Sequence, residues 1–273
     1  QNPGIILSDP KEPNIVASHQ GTFGRDDGEP DWSRYHECFS SEGLRVDASI
    51  HAFACPLAPS RISSKIPGAP MILCLREPVS RAFSHWKMII DTEEDSRNGA
   101  DWSDFSVAWQ DDRLSGDSHY GRAMRRWLEH FPLEQFLIID SQRMRNDPEG
   151  VLEEVEGFLG LQNHPYDLDP SRHANSATDR RPITNVGRAV RSVFSLIPNI
   201  IKRPIVNRLQ ARDINIYAAP IVSRRAVKLS AGPEHYSICA DSLLPDLENF
   251  ESITGFDTNH WTQSIETNRQ KSS

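Results

Sequence analysis

The chain of 273 residues is acidic, with 38 Asp and Glu against 30 Lys and Arg and a formal net charge of −8. This balance argues against a nucleic-acid-binding protein that relies on an overall positive field. With 37% hydrophobic and 25% charged residues, the composition is that of a globular chain with one sizeable core. No apolar run approaches the roughly 20 residues that a membrane-spanning helix needs.

Short apolar runs rich in branched side chains predict strands at residues 4–7, 44–46, 71–75 and 136–140. Helical patterns lie between or after them, at 31–39, from Pro78 onward, and at 101–109, 120–131, 148–160 and 240–255. Asp147 as a cap, Pro148 in the first turn and Gly160 at the end are typical of helix boundaries. Continuous apolar strands alternating with helices predict an α/β fold whose central parallel sheet is flanked and covered by helices.

The four cysteines indicate neither a structural metal site nor a disulfide framework. Cys38, Cys55, Cys74 and Cys239 are widely separated, with no CxxC pair and no histidines at ligand spacing. This pattern favours a reducing compartment over an oxidising one. Cys74 lies within an apolar run and is expected to be a small buried hydrophobic residue.

A basic segment interrupts the acidic chain between Arg180 and Lys228, where eleven Lys or Arg accompany one acid, Asp213. Apolar residues at helical spacing, broken by prolines, predict two or three short amphipathic helices. We expect an insertion or lid at 180–228 within a single domain spanning 1–273. Its residues 186–209 suit an anionic membrane surface or acceptor, or a lid whose charges face solvent, and both interpretations stay open.

The stretch REPVSRAFSHW, residues 76–86, follows the predicted strand at 71–75 directly. Ligands of open parallel sheets bind at the carboxyl ends of the strands, where helix N-termini offer free N–H groups, and Arg76 falls at such an end. Pro78 suits the first turn of the following helix.

Arg81 and Ser84 are three residues apart and share a face of this helix. An arginine fork and a hydroxyl near a strand end suit a phosphate group. The alternative is that Arg76 pairs with Glu77 or another surface acid and that Ser84 is an ordinary helix residue. Spacing alone favours this alternative.

LREPVSRAFSHW resembles the 3′-phosphate-binding motif of the sulfotransferases that use 3′-phosphoadenosine 5′-phosphosulfate (PAPS). In that motif an arginine at the strand end and a serine eight positions later hold the 3′-phosphate, and Arg76 and Ser84 match them. Four other stretches resemble family landmarks in the usual order: SDPKEPN, DWSRYHECF with LRVDAS, the helix-strand-helix from YGRAM to FLGL, and LENFESITGFDTNHW. The resemblance implies a fold like that of P-loop nucleotide hydrolases.

The resemblance also implies roles for single residues. Glu12, in the lysine-glutamate-proline segment, corresponds to the catalytic base, and Lys11 would neutralise the sulfonate or acceptor or lie at the surface. Arg180 and Arg181 occupy the place of a loop that closes over the nucleotide, where they would bind a phosphate or would only begin the basic segment. The implied reaction is in-line sulfuryl transfer from PAPS, without a metal, to a hydroxyl or amine of a saccharide, a lipid headgroup or a small molecule.

The sequence departs from the family in one important respect. Relatives bind the 5′-phosphosulfate with a lysine-bearing, glycine-rich loop upstream of the lysine-glutamate-proline segment, and this sequence contains no such loop. We expect either a fragment truncated before Gln1 or a degenerate relative. A P-loop-type nucleotide kinase and a non-catalytic nucleotide-binding relative remain alternatives. We expect a cytoplasmic protein, or one of the Golgi lumen if its source is eukaryotic, with no nucleic-acid partner.

Overall fold

The computed structural model describes residues 2–40, 43–168 and 229–272. Its strands are β1 Ile5–Leu7, β2 His19–Gln20, β3 Gly24–Arg25, β4 Leu44–Val46, β5 Met71–Leu75 and β6 Phe136–Asp140. All four predicted strands are therefore confirmed. The hairpin of β2 and β3 was not predicted, because strands of two residues leave no periodic pattern.

The strands pair in parallel where the sequence predicts it. β1 pairs with β4, and β5 pairs with β6, both in parallel, whereas β2 and β3 are antiparallel. Within the described part of the chain the parallel strands form two separate two-stranded ladders. The predicted α/β class, with parallel strands among helices, is confirmed.

Eleven α-helices are described: α1 Trp32–Glu37, α2 Ala58–Lys65, α3 Pro78–Thr92, α4 Glu94–Arg97, α5 Phe105–Gln110, α6 Asp112–Ser115, α7 Tyr120–Leu128, α8 Ser141–Asn146, α9 Pro148–Leu159, α10 Pro233–Thr254 and α11 Asn259–Gln270. Short 3-10 turns lie at Ile50–Ala52, Gly116–Ser118 and Leu133–Gln135. No helix in these parts of the chain combines the length and apolar character needed to cross a bilayer.

Helix α9 has the predicted ends. The carboxylate of Asp147 accepts a hydrogen bond from the backbone N–H of Gly150 at 3.0 Å, and Pro148 occupies the first turn. Gly160 ends the helix with φ of 65°, in the left-handed region that glycine enters without a steric cost. Local chemistry sets both boundaries, so the sequence predicts them well.

Two helix starts differ from prediction. α5 begins at Phe105 and not at residue 101, because the Asp104 side chain caps it by accepting from the N–H of Ser106 at 2.7 Å. α10 begins at Pro233 and not at residue 240, since Gly232 and Pro233 form a helix start of their own. α11 was not predicted.

The expectation that Cys74 is buried is wrong. Its side chain is exposed, as is that of Ile72, which retains 40% of its accessible surface, while Leu75 is buried. Ile72 and Cys74 lie on the same face of β5, because alternate side chains of a strand share a face. A continuous apolar run thus does not by itself mean that both faces of a strand are covered.

The described residues fall into two compact units. The larger contains the described parts of 1–85, 101–168 and 231–273; the smaller contains 86–100 and the described end of 169–230. The predicted lid at 180–228 lies outside the described residues, and the single-domain organisation remains a prediction.

The core of the larger unit is aromatic and lies where α7, α10 and α11 meet. The ring of Tyr120 is 6.1 Å from that of Phe250 and 6.0 Å from that of Trp261. Trp127 and Trp261 are 3% and 2% exposed, so both belong to this core. Burial of such large rings is a main source of stability.

Helices α7 and α10 approach closely at Gly121. The carboxylate of Asp246 accepts from the N–H groups of Gly121 and Arg122, both at 2.8 Å, and so satisfies the first turn of α7 from a neighbouring helix. A β-carbon at Gly121 would fall well inside van der Waals contact with the backbone oxygen of Asp246.

We therefore expect Gly121→Ala to lower the free energy of unfolding by about 1–3 kcal/mol, because the two helix backbones would have to separate. The matched control is Gly157→Ala in α9, where an added methyl group meets nothing within 4 Å. That change should raise stability by up to about 1 kcal/mol through helix propensity. Chemical denaturation of both variants measures the contrast; a Gly121→Ala protein as stable as the unaltered chain would contradict the close approach.

Candidate functional site

The carboxyl ends of β5 and β6 lie side by side. Leu75 is opposite Asp140 in the parallel ladder, so Arg76 and Ser141 leave the two strands at the same edge. α3 begins two residues after β5, and α8 begins directly after β6. The structure thus places Arg76 at the sheet edge where the sequence predicted a ligand.

Glu77 caps α3 with its side chain. One carboxylate oxygen accepts from the N–H of Val79 at 2.9 Å, and the other accepts from that of Ser80 at 2.8 Å. The hydroxyl of Tyr236 donates to the second oxygen at 3.3 Å. The first N–H groups of α3 are consequently bound within the protein, and the positive group left at this strand end is the side chain of Arg76.

The guanidinium of Arg76 makes no hydrogen bond or ion pair with the described part of the chain. Its carbonyl oxygen accepts from the hydroxyl of Tyr120, a buried side chain, at 2.7 Å. Burial and the neighbouring charge of Arg145 lower the pKa of Arg76 from its usual value. Glu77 makes no ion pair with Arg76, but its charge acts in the opposite direction and raises the pKa of Arg76, less than Arg145 lowers it.

Ser84 and Arg81 lie on α3 but differ in their surroundings. Ser84 is half-buried, and no described group bonds its hydroxyl. The Arg81 guanidinium donates to the hydroxyl of Ser118 at 2.8 Å and to the carbonyl of Leu114 at 2.9 Å, and lies 3.6 Å from the Asp117 carboxylate. Arg81 therefore ties α3 to the turn before α7 and does not serve as the expected arginine fork; Ser84 keeps a free hydroxyl.

Lys11 and Glu12 lie beyond the carboxyl end of β1. The backbone oxygen of Lys11 accepts from the hydroxyl of Ser8 at 2.9 Å and from the N–H of Ala48 at 3.3 Å. That of Glu12 accepts from the side-chain amide of Asn14 at 3.2 Å. These bonds fix the backbone of the segment at the end of the β1–β4 ladder, while the Glu12 side chain is half-buried and that of Lys11 is exposed.

The structure thus places Lys11 and Glu12 at the end of one parallel ladder and Arg76 at the end of the other. No hydrogen bond or ion pair between described residues links the two groups. Arg180 and Arg181 lie outside the described residues, so their predicted roles stay predictions.

Asp47 has a local structural role. The Asp47 carboxylate accepts from the N–H of Ser49 at 2.8 Å. Burial of Tyr35 raises the pKa of its phenol most, and the charge of Asp47 and a hydrogen bond to Asp47 raise it further. In the described ranges, no group of three or more His, Cys, Asp or Glu side chains could hold a metal ion.

Sequence reasoning missed several residues that shape the Arg76 strand end. Tyr120 and Tyr236 come from distant helices, and their hydroxyl bonds to Arg76 and Glu77 leave no signal in the spacing of residues. Asp140 was recognised only as the end of a strand. Its carboxylate caps α8 by accepting from the N–H of Gln142 at 2.7 Å and lies 2.6 Å from a ring nitrogen of His260.

Comparison with known proteins agrees with this geometry. Residues 46–180 match the family model described as the sulfotransferase domain. The chain is 33% identical over 123 residues to heparan sulfate glucosamine 3-O-sulfotransferase 3B1 of Mus musculus, covering 44% of this chain and 32% of that protein. It is 27% identical over 135 residues to bifunctional heparan sulfate N-deacetylase/N-sulfotransferase 1 of Caenorhabditis elegans, covering 47% of this chain and 16% of that protein.

A solved structure extends the agreement beyond the matched segment. The crystal structure of a sulfotransferase from Alicyclobacillus acidocaldarius superposes with a TM-score of 0.58 and 18% identity, covering 96% of this chain and 90% of that one. Residues 46–180, about half of the chain, therefore belong to the sulfotransferase domain family. The predicted sulfotransferase fold is confirmed.

The family match contains part of the candidate site. Arg76, Ser84 and Arg180 lie within the matched residues 46–180 of this sulfotransferase, whereas Lys11 and Glu12 precede them. The matches span less than a third of the length of the two curated relatives, 32% and 16%. The activities of those whole proteins therefore do not carry over to this chain directly.

We expect Tyr120→Phe to lower the free energy of unfolding of the sulfotransferase by about 0.5–1.5 kcal/mol, because the carbonyl of Arg76 loses its donor. Tyr236→Phe is the matched control, since its longer bond to Glu77 is made by a less buried group and should cost less. Chemical denaturation compares the two variants. Equal stability of Tyr120→Phe and the unaltered protein would contradict a stabilising role for the bond.

Proposed function

We propose that this sulfotransferase moves a sulfuryl group from PAPS to a hydroxyl or amine of its acceptor by in-line displacement. The observation that carries the proposal is Arg76, a half-buried cation at the carboxyl end of β5 with no partner in the described residues. A buried or half-buried charge is costly unless it is compensated, and a bound anion compensates it. Membership of the sulfotransferase family supports PAPS as the source of that anion.

On the donor side, Arg76 and Ser84 hold the 3′-phosphate. The guanidinium offers paired N–H donors that fit two phosphate oxygens, and the free hydroxyl of Ser84 adds a third donor. Tyr120 fixes the backbone from which Arg76 extends, through its bond to the Arg76 carbonyl. The Glu77 carboxylate is hydrogen-bonded to the first N–H groups of α3 and makes no ion pair with Arg76, although its charge still acts on that arginine.

On the acceptor side, Glu12 acts as the general base. It takes the proton of the acceptor hydroxyl or amine while the acceptor atom bonds to sulfur. The bond between sulfur and the 5′-phosphate oxygen breaks, and that oxygen leaves with the negative charge. Lys11 stands next to the base, where it can offset charge on the sulfonate or acceptor.

A carbohydrate acceptor is favoured. The relatives are described as acting on heparan sulfate, one as a glucosamine 3-O-sulfotransferase and one as an N-sulfotransferase. A saccharide presents hydroxyl or amine groups that suit a carboxylate base. The competing acceptor classes are a lipid headgroup and a small alcohol. Assays of sulfuryl transfer from labelled PAPS to a saccharide, a lipid and a small alcohol compare the three.

Removing either predicted 3′-phosphate contact should weaken nucleotide binding selectively. Arg76→Ala and Ser84→Ala should each cost about 1.5–3 kcal/mol of binding free energy for 3′,5′-bisphosphoadenosine and hardly affect AMP, which lacks the 3′-phosphate. Calorimetric titration of each variant measures its affinity for both nucleotides. Arg122→Ala, an exposed arginine paired with Asp112, is the control. Equal losses of binding free energy for both nucleotides would exclude the assignment of Arg76 and Ser84 to the 3′-phosphate.

Replacing the base should separate binding from turnover. In a protein that carries the 5′-phosphosulfate loop, Glu12→Gln keeps the shape of the side chain but cannot accept the proton, so sulfate transfer should fall at least about a hundredfold while nucleotide affinity is unchanged. Glu37→Gln, an exposed acid on α1, is the control and should keep full activity. Transfer by Glu12→Gln at the rate of the unaltered protein would show that another group takes the proton.

A further inference from the structure

The register of the β5–β6 ladder brings a second arginine to the strand end. Leu75 is opposite Asp140, so Arg76 and Ser141 are the first residues beyond the ladder at the same edge, where adjacent strands lie roughly 5 Å apart. Ser141 is the first residue of α8, and Arg145 is four residues further on the same helix, one turn above it. A long side chain at Arg145 is therefore within reach of the group that Arg76 would bind.

Electrostatic coupling agrees with this placement. After burial, the charge of Arg145 is the largest influence on the Arg76 guanidinium, and it lowers the pKa of Arg76. The charges of Asp140 and Arg145 also reach the thiol of Cys74, two residues before Arg76 on β5. The charge of this exposed arginine of α8 therefore acts on two groups near the end of β5.

The acids beside these arginines are engaged elsewhere. Glu77, next to Arg76, binds the first N–H groups of α3 and the hydroxyl of Tyr236. Asp140, at the end of β6, binds the N–H of Gln142 and contacts His260. Both carboxylates are thus hydrogen-bonded to other groups of the strand end, and the charge of Glu77 raises the pKa of Arg76 less than Arg145 lowers it.

The two arginines are left without a counterion in the described part of the protein. Neither guanidinium makes a hydrogen bond or ion pair with a described residue. By contrast Arg143, on the same short helix as Arg145, pairs with Glu154 at 2.6 Å. Two like charges held near one another repel, and an anion between them removes that repulsion.

We propose that Arg145 is a second arginine of the 3′-phosphate site, binding the same phosphate as Arg76 from the opposite strand end. The inference rests on the proposed function, in which Arg76 and Ser84 hold that phosphate. A phosphate monoester carries close to two negative charges at neutral pH, so two guanidinium groups match it in charge. Arg145 thereby helps the protein select nucleotides that carry a 3′-phosphate.

The test compares two arginines of α8 and two nucleotides. In the chain of 273 residues, Arg145→Ala should weaken binding of 3′,5′-bisphosphoadenosine about 5- to 50-fold and leave AMP binding within about twofold, because only the first nucleotide carries the 3′-phosphate. Arg143→Ala, which removes an equal charge from the same helix, should change neither. Arg145→Lys should lose part of the affinity, since it keeps the charge without the fork.

Calorimetric titration supplies the affinities, and a thermal melt of each variant checks that the exposed substitutions leave the fold intact. If Arg76→Ala discriminates between the nucleotides and Arg145→Ala does not, the role of Arg145 is refuted while the proposed function stands. Equal weakening of the binding of both nucleotides by Arg145→Ala also refutes this role. Arg145 would then act only through the overall positive potential and not through the 3′-phosphate. If the unaltered chain binds neither nucleotide, both proposals fail.

Discussion

The register between β5 and β6 is the constraint on which the candidate site depends. A parallel ladder that slips by one residue turns every side chain of the moving strand to its other face. Leu75, which is buried, would then be displaced, and Arg76 would no longer face Ser141. The buried bond from Tyr120 to the carbonyl of Arg76 adds a second restraint from a different helix. The backbone from which the Arg76 side chain extends is thus fixed by sheet pairing and by helix packing together.

The distribution of acids explains how cations remain available in a protein of net charge −8. Glu77, Asp140 and Asp246 each place a carboxylate on the N-terminal N–H groups of a helix, which satisfies donors that would otherwise lack partners. An acid held in this way is directed at a helix and away from a nearby arginine. The overall charge of a chain therefore says little about the field at one strand end, where the hydrogen bonds of single carboxylates decide it.

Much of the fold could be predicted from the sequence because local chemistry sets it. Strand bounds follow from apolar runs, and the ends of α9 follow from Asp147 and Gly160, whose effects extend over a few residues. Arg76 could be placed at a strand end for the same reason. Cys74 could not be placed on an exposed face, since a run of apolar letters does not reveal which face a neighbouring element covers.

Other features depend on contacts between distant parts of the chain. Arg81 looked like a ligand-binding arginine, but Ser118 and Leu114 bind it across more than 30 residues of sequence. The pairing of β5 with β6 brings the helix of Arg145 to the strand end of Arg76, and the packing of α7 brings Tyr120 to the Arg76 carbonyl. Family resemblance identified Glu12 and paired Ser84 with Arg76, whereas spacing had only placed Ser84 on the same helix face as Arg81. Arg180 and Arg181 rest on that resemblance alone.

The exposed position of Cys74 has a practical consequence. The other three cysteines, Cys38, Cys55 and Cys239, are buried, so a thiol-reactive fluorophore added to the folded protein would attach at one place. That place is on β5, two residues before Arg76. The label would sit beside the strand end, where its emission could report on the arrival of a charged molecule without any change to the residues that bind it.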